Sequence, residues 1–162
     1  MKQSTLQHEL RKRRPFEVPE EEAYLNVLRT AAALAGEFTR LFRGVGLSES
    51  SYNVLRILRG HHPAGVPSQA IGPQMVTLVP DVTRLVDRLE EAGLAERIRT
   101  EHDRRVVLVR ITKAGLDLLA KLDRPVTELN KRQLGHLTRK ELAELSRLLV
   151  KARYPEGDGV GP

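Results

Sequence analysis

The chain has no cysteine and no tryptophan, and only three tyrosines and three phenylalanines among its 162 residues. Without thiols there is no disulfide framework, no thiolate zinc centre, no cysteine nucleophile and no thiol redox switch. An aromatic content of 4% is too small for the stacking platforms that hold single-stranded nucleic acid. No apolar run approaches the roughly 20 residues that span a bilayer. The first 19 residues are polar and lack the apolar centre of a signal peptide, so a cytoplasmic protein is expected. Gly44-Val45-Gly46 stands without the rest of a nucleotide-binding fingerprint, and no serine or aspartate sits in a recognisable catalytic pattern. His61 and His62 are adjacent and cannot share a helix face, while His8, His102 and His136 are scattered. The expectation is therefore no enzyme, no metal and no cofactor.

What is present is a core and a charge surplus. Hydrophobic residues make up 40% of the chain, which argues against global disorder. Lys and Arg number 27 against 21 Asp and Glu, a formal net charge of +6. In a cytoplasmic protein a basic surplus points to a polyanion partner, nucleic acid first.

The pattern divides the chain into five stretches. Residues 1–19 hold the cluster Arg11-Lys12-Arg13-Arg14 followed by Pro15 and Pro19, and read as a basic flexible arm. Residues 20–46 carry Leu25, Leu28, Ala32, Ala35, Phe38, Leu41 and Phe42 near helical spacing, with Glu20, Glu21 and Glu22 at the start and Gly44 and Gly46 at the end. Residues 47–112 open on Ser48, a helix N-cap, with Tyr52, Leu55 and Leu58 as a buried stripe. A loop is expected over 61–67 and a short helix over 67–75, weakened by Gly72-Pro73. A further helix is expected from Pro80 to about Ala92, and two strands follow over 94–100 and 106–112. Residues 113–153 form helices capped by Thr112 and Thr138, with Pro125 expected to kink or restart the first and Glu141 completing a capping box on the second. Residues 154–162 read as a disordered Gly/Pro tail. The two flanking helical stretches are apolar on one side, so a homodimer built from both ends of the chain is the economical arrangement.

The chemistry concentrates in the helix after Pro80. Val82, Leu85, Val86 and Leu89 form one apolar face, and Asp81, Arg84, Asp87 and Arg88 the opposite one, with Thr83 at the edge. A helix held by one face with arginines on the other suits insertion into a DNA major groove. Periodicity alone is equally compatible with an ordinary amphipathic surface helix. The charged turn His102-Asp103-Arg104-Arg105 between the two strands tips the balance. One arginine can pair with Asp103 while the other enters a minor groove, where the negative potential is strong. The whole is mainly α with some β (α+β): a winged helix-turn-helix domain with a two-stranded β-wing, flanked by N- and C-terminal dimerisation helices.

The run Val82-Thr83-Arg84-Leu85-Val86-Asp87-Arg88-Leu89-Glu90, then Gly93-Leu94, Arg97, Asp103-Arg104-Arg105 and Leu108-Val109-Arg110-Ile111-Thr112-Lys113-Ala114-Gly115 resembles the MarR family of bacterial winged-helix transcription regulators. The resemblance covers residues 20–152. It implies a homodimer in which each protomer offers one winged helix to half of a pseudo-palindromic operator. By position, Thr83 and Arg84 would meet bases or phosphates, Arg88 would hold phosphate, and Arg104 and Arg105 would share the wing roles with Asp103 as orienting partner. Asp87 would orient Arg84 or Arg88, and Asp81 reads as a partial cap. Ser48, Ser50 and Gln69 lie near helix starts that touch the DNA backbone in such folds. The chain departs from the family at Gly72-Pro73, where a regular helical run is usual.

The resemblance also implies a small aromatic or phenolic effector between the dimer helices and the winged helix. Phe38, Phe42 and Tyr52 stand in the corresponding elements, with Arg56 able to pair with an anion, although filling the core is the plainer role for these aromatics. The reading from sequence is a sequence-specific DNA-binding regulator of the repressor kind, acting on double-stranded DNA and released by an effector. The alternative is a winged-helix dimer that serves as a protein-interaction or non-specific architectural DNA-binding module, kept open by the acids Asp81 and Asp87 on the exposed helix face.

Overall fold

The computed structural model describes residues 6–99 and 107–154. The wing turn and all but the first residue of the expected tail lie outside them. Chain order is α1 (Leu6–Glu9), α2 (Pro19–Arg43), α3 (Glu49–Gly60), β1 (Val66–Pro67), two 3-10 turns (Ser68–Ala70 and Gly72–Gln74), α4 (Val82–Glu91), β2 (Ala95–Arg99), β3 (Val107–Ile111), α5 (Lys113–Leu134) and α6 (Arg139–Arg153).

Helix starts follow side-chain chemistry. Ser48 accepts from the Ser51 amide at 3.0 Å, and Thr112 from the Gly115 amide at 3.1 Å. At α6 the Thr138 hydroxyl accepts from the Glu141 amide while Glu141 accepts from the Thr138 amide at 2.8 Å, completing the capping box.

Four local expectations change. The helix expected over 67–75 is replaced by the two 3-10 turns, because Pro73 has no amide proton and its ring crowds the preceding turn. Ile71 and Met75 are nevertheless buried in the core. The helix expected from Pro80 starts at Val82, since Asp81 occupies the N-cap and its carboxylate accepts from the Arg84 amide at 3.0 Å. Pro125 does not restart a helix: α5 runs through it as one helical span. Pro125 and Lys121 are both exposed, so water can satisfy the carbonyl left without a donor. The loop expected over 61–67 contributes β1, which makes the sheet three-stranded and antiparallel in the order β1-β3-β2. Val66 pairs with Val109, and Ala95 with Ile111. Gly65 leads into this pairing at φ +84°, where a Cβ would stand 2.8 Å from Arg110 Cγ.

One core joins these elements. Val54, Leu55 and Leu58 of α3, Ile71, Val86 of α4, Val109 of β3 and Leu119 of α5 are all buried. Each such side chain stabilises the fold by about 1.5–3 kcal/mol. The flanking helices differ. No residue of α6 is buried, and Leu145, Leu148 and Val150 are exposed along it. The first half of α2 likewise exposes Tyr24, Val27 and Leu28. Within the stretch expected to be a basic arm, Leu6 is buried, Glu9 pairs with Arg29 of α2 at 2.6 Å, and Lys12 lies 4.2 Å from the centre of the Phe16 ring.

Close contacts at Gly115 and Asp123 help to bind α5 to the rest. Gly115 in its first turn lies against the carbonyl of Leu94, which already accepts from the Thr112 amide. Arg59 of α3 grips Asp123 with two hydrogen bonds, at 2.8 and 2.9 Å. The hydrogen bond from Arg59 holds the Asp123 carboxyl below its ordinary range.

A Cβ at residue 115 would meet the Leu94 carbonyl oxygen at 2.4 Å and Ile111 Cγ1 at 2.7 Å. Gly115→Ala is therefore expected to lower stability by about 1–3 kcal/mol in urea unfolding. Asp123→Asn is expected to lower it by no more than about 1 kcal/mol, because the pair is solvent-exposed. A carboxyl whose folded pKa is depressed contributes stability above the unfolded value of about 3.9 and loses it as pH falls through the folded value. The difference between wild type and Asp123→Asn, followed by thermal melts, should be present at neutral pH and close in acid below that range.

Candidate nucleic-acid interface

The α4 helix is held by its apolar stripe. Leu85, Val86 and Leu89 are buried, with Val82 packed beside them. The same periodicity puts Thr83, Arg84 and Arg88 on the exposed face. The Arg84 side chain is 72% exposed, and its Nε stands 4.0 Å from Asp81. Asp81 thus has two tasks: it caps the helix through its carboxylate and lies beside the arginine one turn on.

The sequence reading has Asp87 orienting Arg84 or Arg88; in the structure its partner is Arg97 instead. Asp87 is half-buried and pairs with Arg97 of β2 at 2.6 Å. Arg97 also pairs with Glu90 at 2.6 Å, and its backbone amide donates to the same carboxylate at 2.9 Å. Its second terminal nitrogen lies 3.5 Å from the Thr83 carbonyl. Partial burial opposes the Arg97 charge, but hydrogen bonds to Asp87 and Glu90 outweigh it, and the guanidinium is held more firmly protonated than usual. This residue belongs to the expected motif, yet no role followed from its position in the sequence. The readable signal was the pair of acids three residues apart on one edge of α4, which needs a cation from a neighbouring element.

Thr83, Arg84 and Arg88 are thus brought onto one exposed face, and Asp87 stands at its edge. Asp103, Arg104 and Arg105 lie outside the described residues. Beside α4 a groove of about 400 Å³ is lined by Ser68, Gln69, Gly72, Thr83 and Val107. Gln69, expected near the DNA backbone, is exposed in this groove. Ser48 is already used as a cap, and Ser50 is half-buried in the first turn of α3.

A second cleft of about 470 Å³ lies between α2, α3, α5 and the segment before α4, and Phe38, Phe42, Tyr52, Arg56, Val76 and Asn130 are among its walls. Phe42 is buried and stacks on Tyr52 with centroids 4.2 Å apart. Phe38 and Tyr52 are half-buried, so these aromatics fill the core and line the cleft at once. Arg56 donates to the Tyr52 hydroxyl at 3.1 Å. The Val76 amide donates to the Asn53 side chain at 2.7 Å. His61 has a ring nitrogen 3.0 Å from Gln74, and among the described residues no three metal-ligating side chains come together.

The model of the MarR family matches residues 47–107. A MarR transcription factor from Planctomyces limnophilus, known as a crystal structure, is 44% identical, with a TM-score of 0.65 over 83% of this chain and 98% of that one. The HTH-type transcriptional regulator YpoP of Bacillus subtilis is 32% identical over 65% of this chain and 73% of its own length. This chain belongs to the MarR family. A third relative, the HTH-type transcriptional repressor IacR of Pseudomonas putida, is 28% identical over 73% of this chain and 72% of its own. The MarR-family chain is a DNA-binding transcription regulator, and the relatives it matches are regulators rather than enzymes. Its winged helix is formed by α3, the two 3-10 turns, α4 and the β2–β3 wing. Among the described residues no helix is long and apolar enough to cross a membrane.

Proposed function

We propose that the chain is a cytoplasmic, homodimeric repressor that sets α4 of each protomer into the major groove of one half of a pseudo-palindromic operator. The observation that carries this reading is α4 itself, with three apolar residues seated in the core and Thr83, Arg84 and Arg88 on the free face. Phosphate contacts from Arg88 and from the wing arginines Arg104 and Arg105 supply affinity, and Arg84 and Thr83 supply sequence choice. The name of the Pseudomonas putida relative supports repression. A structure of the same fold, MepR of Staphylococcus aureus in complex with DNA, is 18% identical with a TM-score of 0.71 and supports the duplex as partner.

The acids that had favoured a protein partner are engaged within the chain. Asp81 caps α4, and Asp87 is neutralised by Arg97. The dimer rests on the exposed apolar residues of α2 and α6, which in a regulator of this size want a second copy. A small aromatic or phenolic effector fits the cleft beside Tyr52 and Arg56. The organohalide-sensing regulator RdhR-CbdbA1625, solved with 2,4-dichlorophenol, shares the fold at 20% identity and a TM-score of 0.76. A ligand there would release DNA by changing the distance between the two α4 helices, since both half-sites must fit at once.

The test is fluorescence anisotropy on a duplex selected from a random library and on its scrambled counterpart, across a salt series. Tight, salt-sensitive binding to the selected duplex alone supports the reading; equal binding to both overturns sequence recognition. Arg84→Ala is expected to cost about 1–3 kcal/mol on the selected duplex and to narrow the preference over the scrambled one. Replacing Leu145 and Leu148 together by Glu is expected to give a monomer in sedimentation velocity, with operator binding lost alongside. A dimer that survives both charges would place the interface elsewhere.

A further inference from the structure

One side chain, Arg97, bridges the two elements proposed to read DNA, α4 and the wing. Arg97 sits on β2, two residues before the last described residue of that wing strand, and pairs with Val109 of β3. From there its guanidinium reaches Asp87 and Glu90, three residues apart on α4, and comes within 3.5 Å of the Thr83 carbonyl. The Glu90 carboxylate also accepts from the Arg97 backbone amide. These contacts reach α4 near both of its ends, and they join it to the strand that carries the wing.

We propose that Arg97 is a positioning residue for DNA recognition. It fixes the angle between α4 and the wing, and it neutralises the two carboxylates that would otherwise face phosphate. The inference rests on the proposed reading of α4 as the recognition helix. Geometry favours arginine at this place. Its planar fork holds two acids and approaches a carbonyl together, whereas a lysine ammonium is a single point without a fixed fork. Exposure is the second argument. The Arg97 side chain is only 25% exposed, against 72% for Arg84, so Arg97 is turned inward on its partners while Arg84 is left free. Loss of the fork leaves α4 seated on Leu85, Val86 and Leu89, so the helix survives while its registration against the wing, then held by the Arg97 backbone amide without the side chain, is loosened.

The two roles separate by experiment. Arg97→Ala, Arg97→Lys and Arg97→Ala combined with Asp87→Asn are compared with wild type on the selected and scrambled duplexes. Thermal melts and circular dichroism confirm that each variant is folded. Arg97→Ala is expected to lower the preference for the selected duplex at least tenfold. Arg97→Lys is expected to recover affinity for both duplexes but not the preference. Adding Asp87→Asn is expected to restore binding to scrambled DNA, again without the preference. If Arg97→Ala weakens both duplexes equally, or if Asp87→Asn restores the preference, Arg97 acts through charge alone and the positioning role is overturned. If Arg97→Ala does not fold, the Arg97→Lys comparison decides the matter by itself. Failure of wild type to prefer any duplex would instead count against α4 as the recognition helix.

Discussion

Leu85, Val86 and Leu89 seat α4 on the core, and without that seating its polar face would not be held rigid. The apolar stripe solves this by spending one side of a ten-residue helix on the core. An isolated helix of that length is marginal in water, so its order comes from packing rather than from propensity. Everything that touches α4 serves that seating. The buried residues of α3 and β3 lie in the same core cluster, Asp81 ends the helix on a side-chain cap, and Arg97 fastens its edge to the wing.

The remainder of the chain relates to this core in two ways. The α5 helix belongs to it. Leu119 and Leu122 are buried, Gly115 fits against Leu94, and Arg59 holds Asp123. The α6 helix and the first half of α2 do not, for their apolar residues stay exposed. The second half of α2 is joined to α5, where Arg132 pairs with Glu37 and the Gln133 side chain donates to the Leu34 carbonyl at 3.0 Å. The cleft beside Tyr52 is bounded by α2, α3, α5 and the segment that leads into Asp81.

Much of this was legible from residues alone, and the failures have local causes. Ser48, Thr112 and the Thr138–Glu141 box were readable because a cap depends only on neighbours within one helical turn. The α4 stripe was readable because helical periodicity is a property of the sequence. The strand at Val66–Pro67 was not, since two residues carry no alternation and the strand exists only through its pairing with β3. Pro80 was mistaken for a first helical residue because both it and Asp81 carry start signals, and the geometry of the carboxylate made the choice. Pro125 reads as a break in sequence, yet α5 is packed on both sides of it through Leu122 and Leu129.

The sequence by itself therefore determined the family, the α4 helix and the cations on its free face, since periodicity, capping and a contiguous motif are all short-range. Tertiary structure alone decided where the acids on that helix are spent. Asp87 was read as the partner of an arginine on its own helix, where an adjacent residue points away and a neighbour one turn off competes with solvent. Its partner instead comes from β2, ten residues on, because the turn at Gly93 folds that strand back along α4. Contacts of this kind depend on which elements lie side by side, and that is set by the burial of the whole core rather than by any stretch of sequence within it.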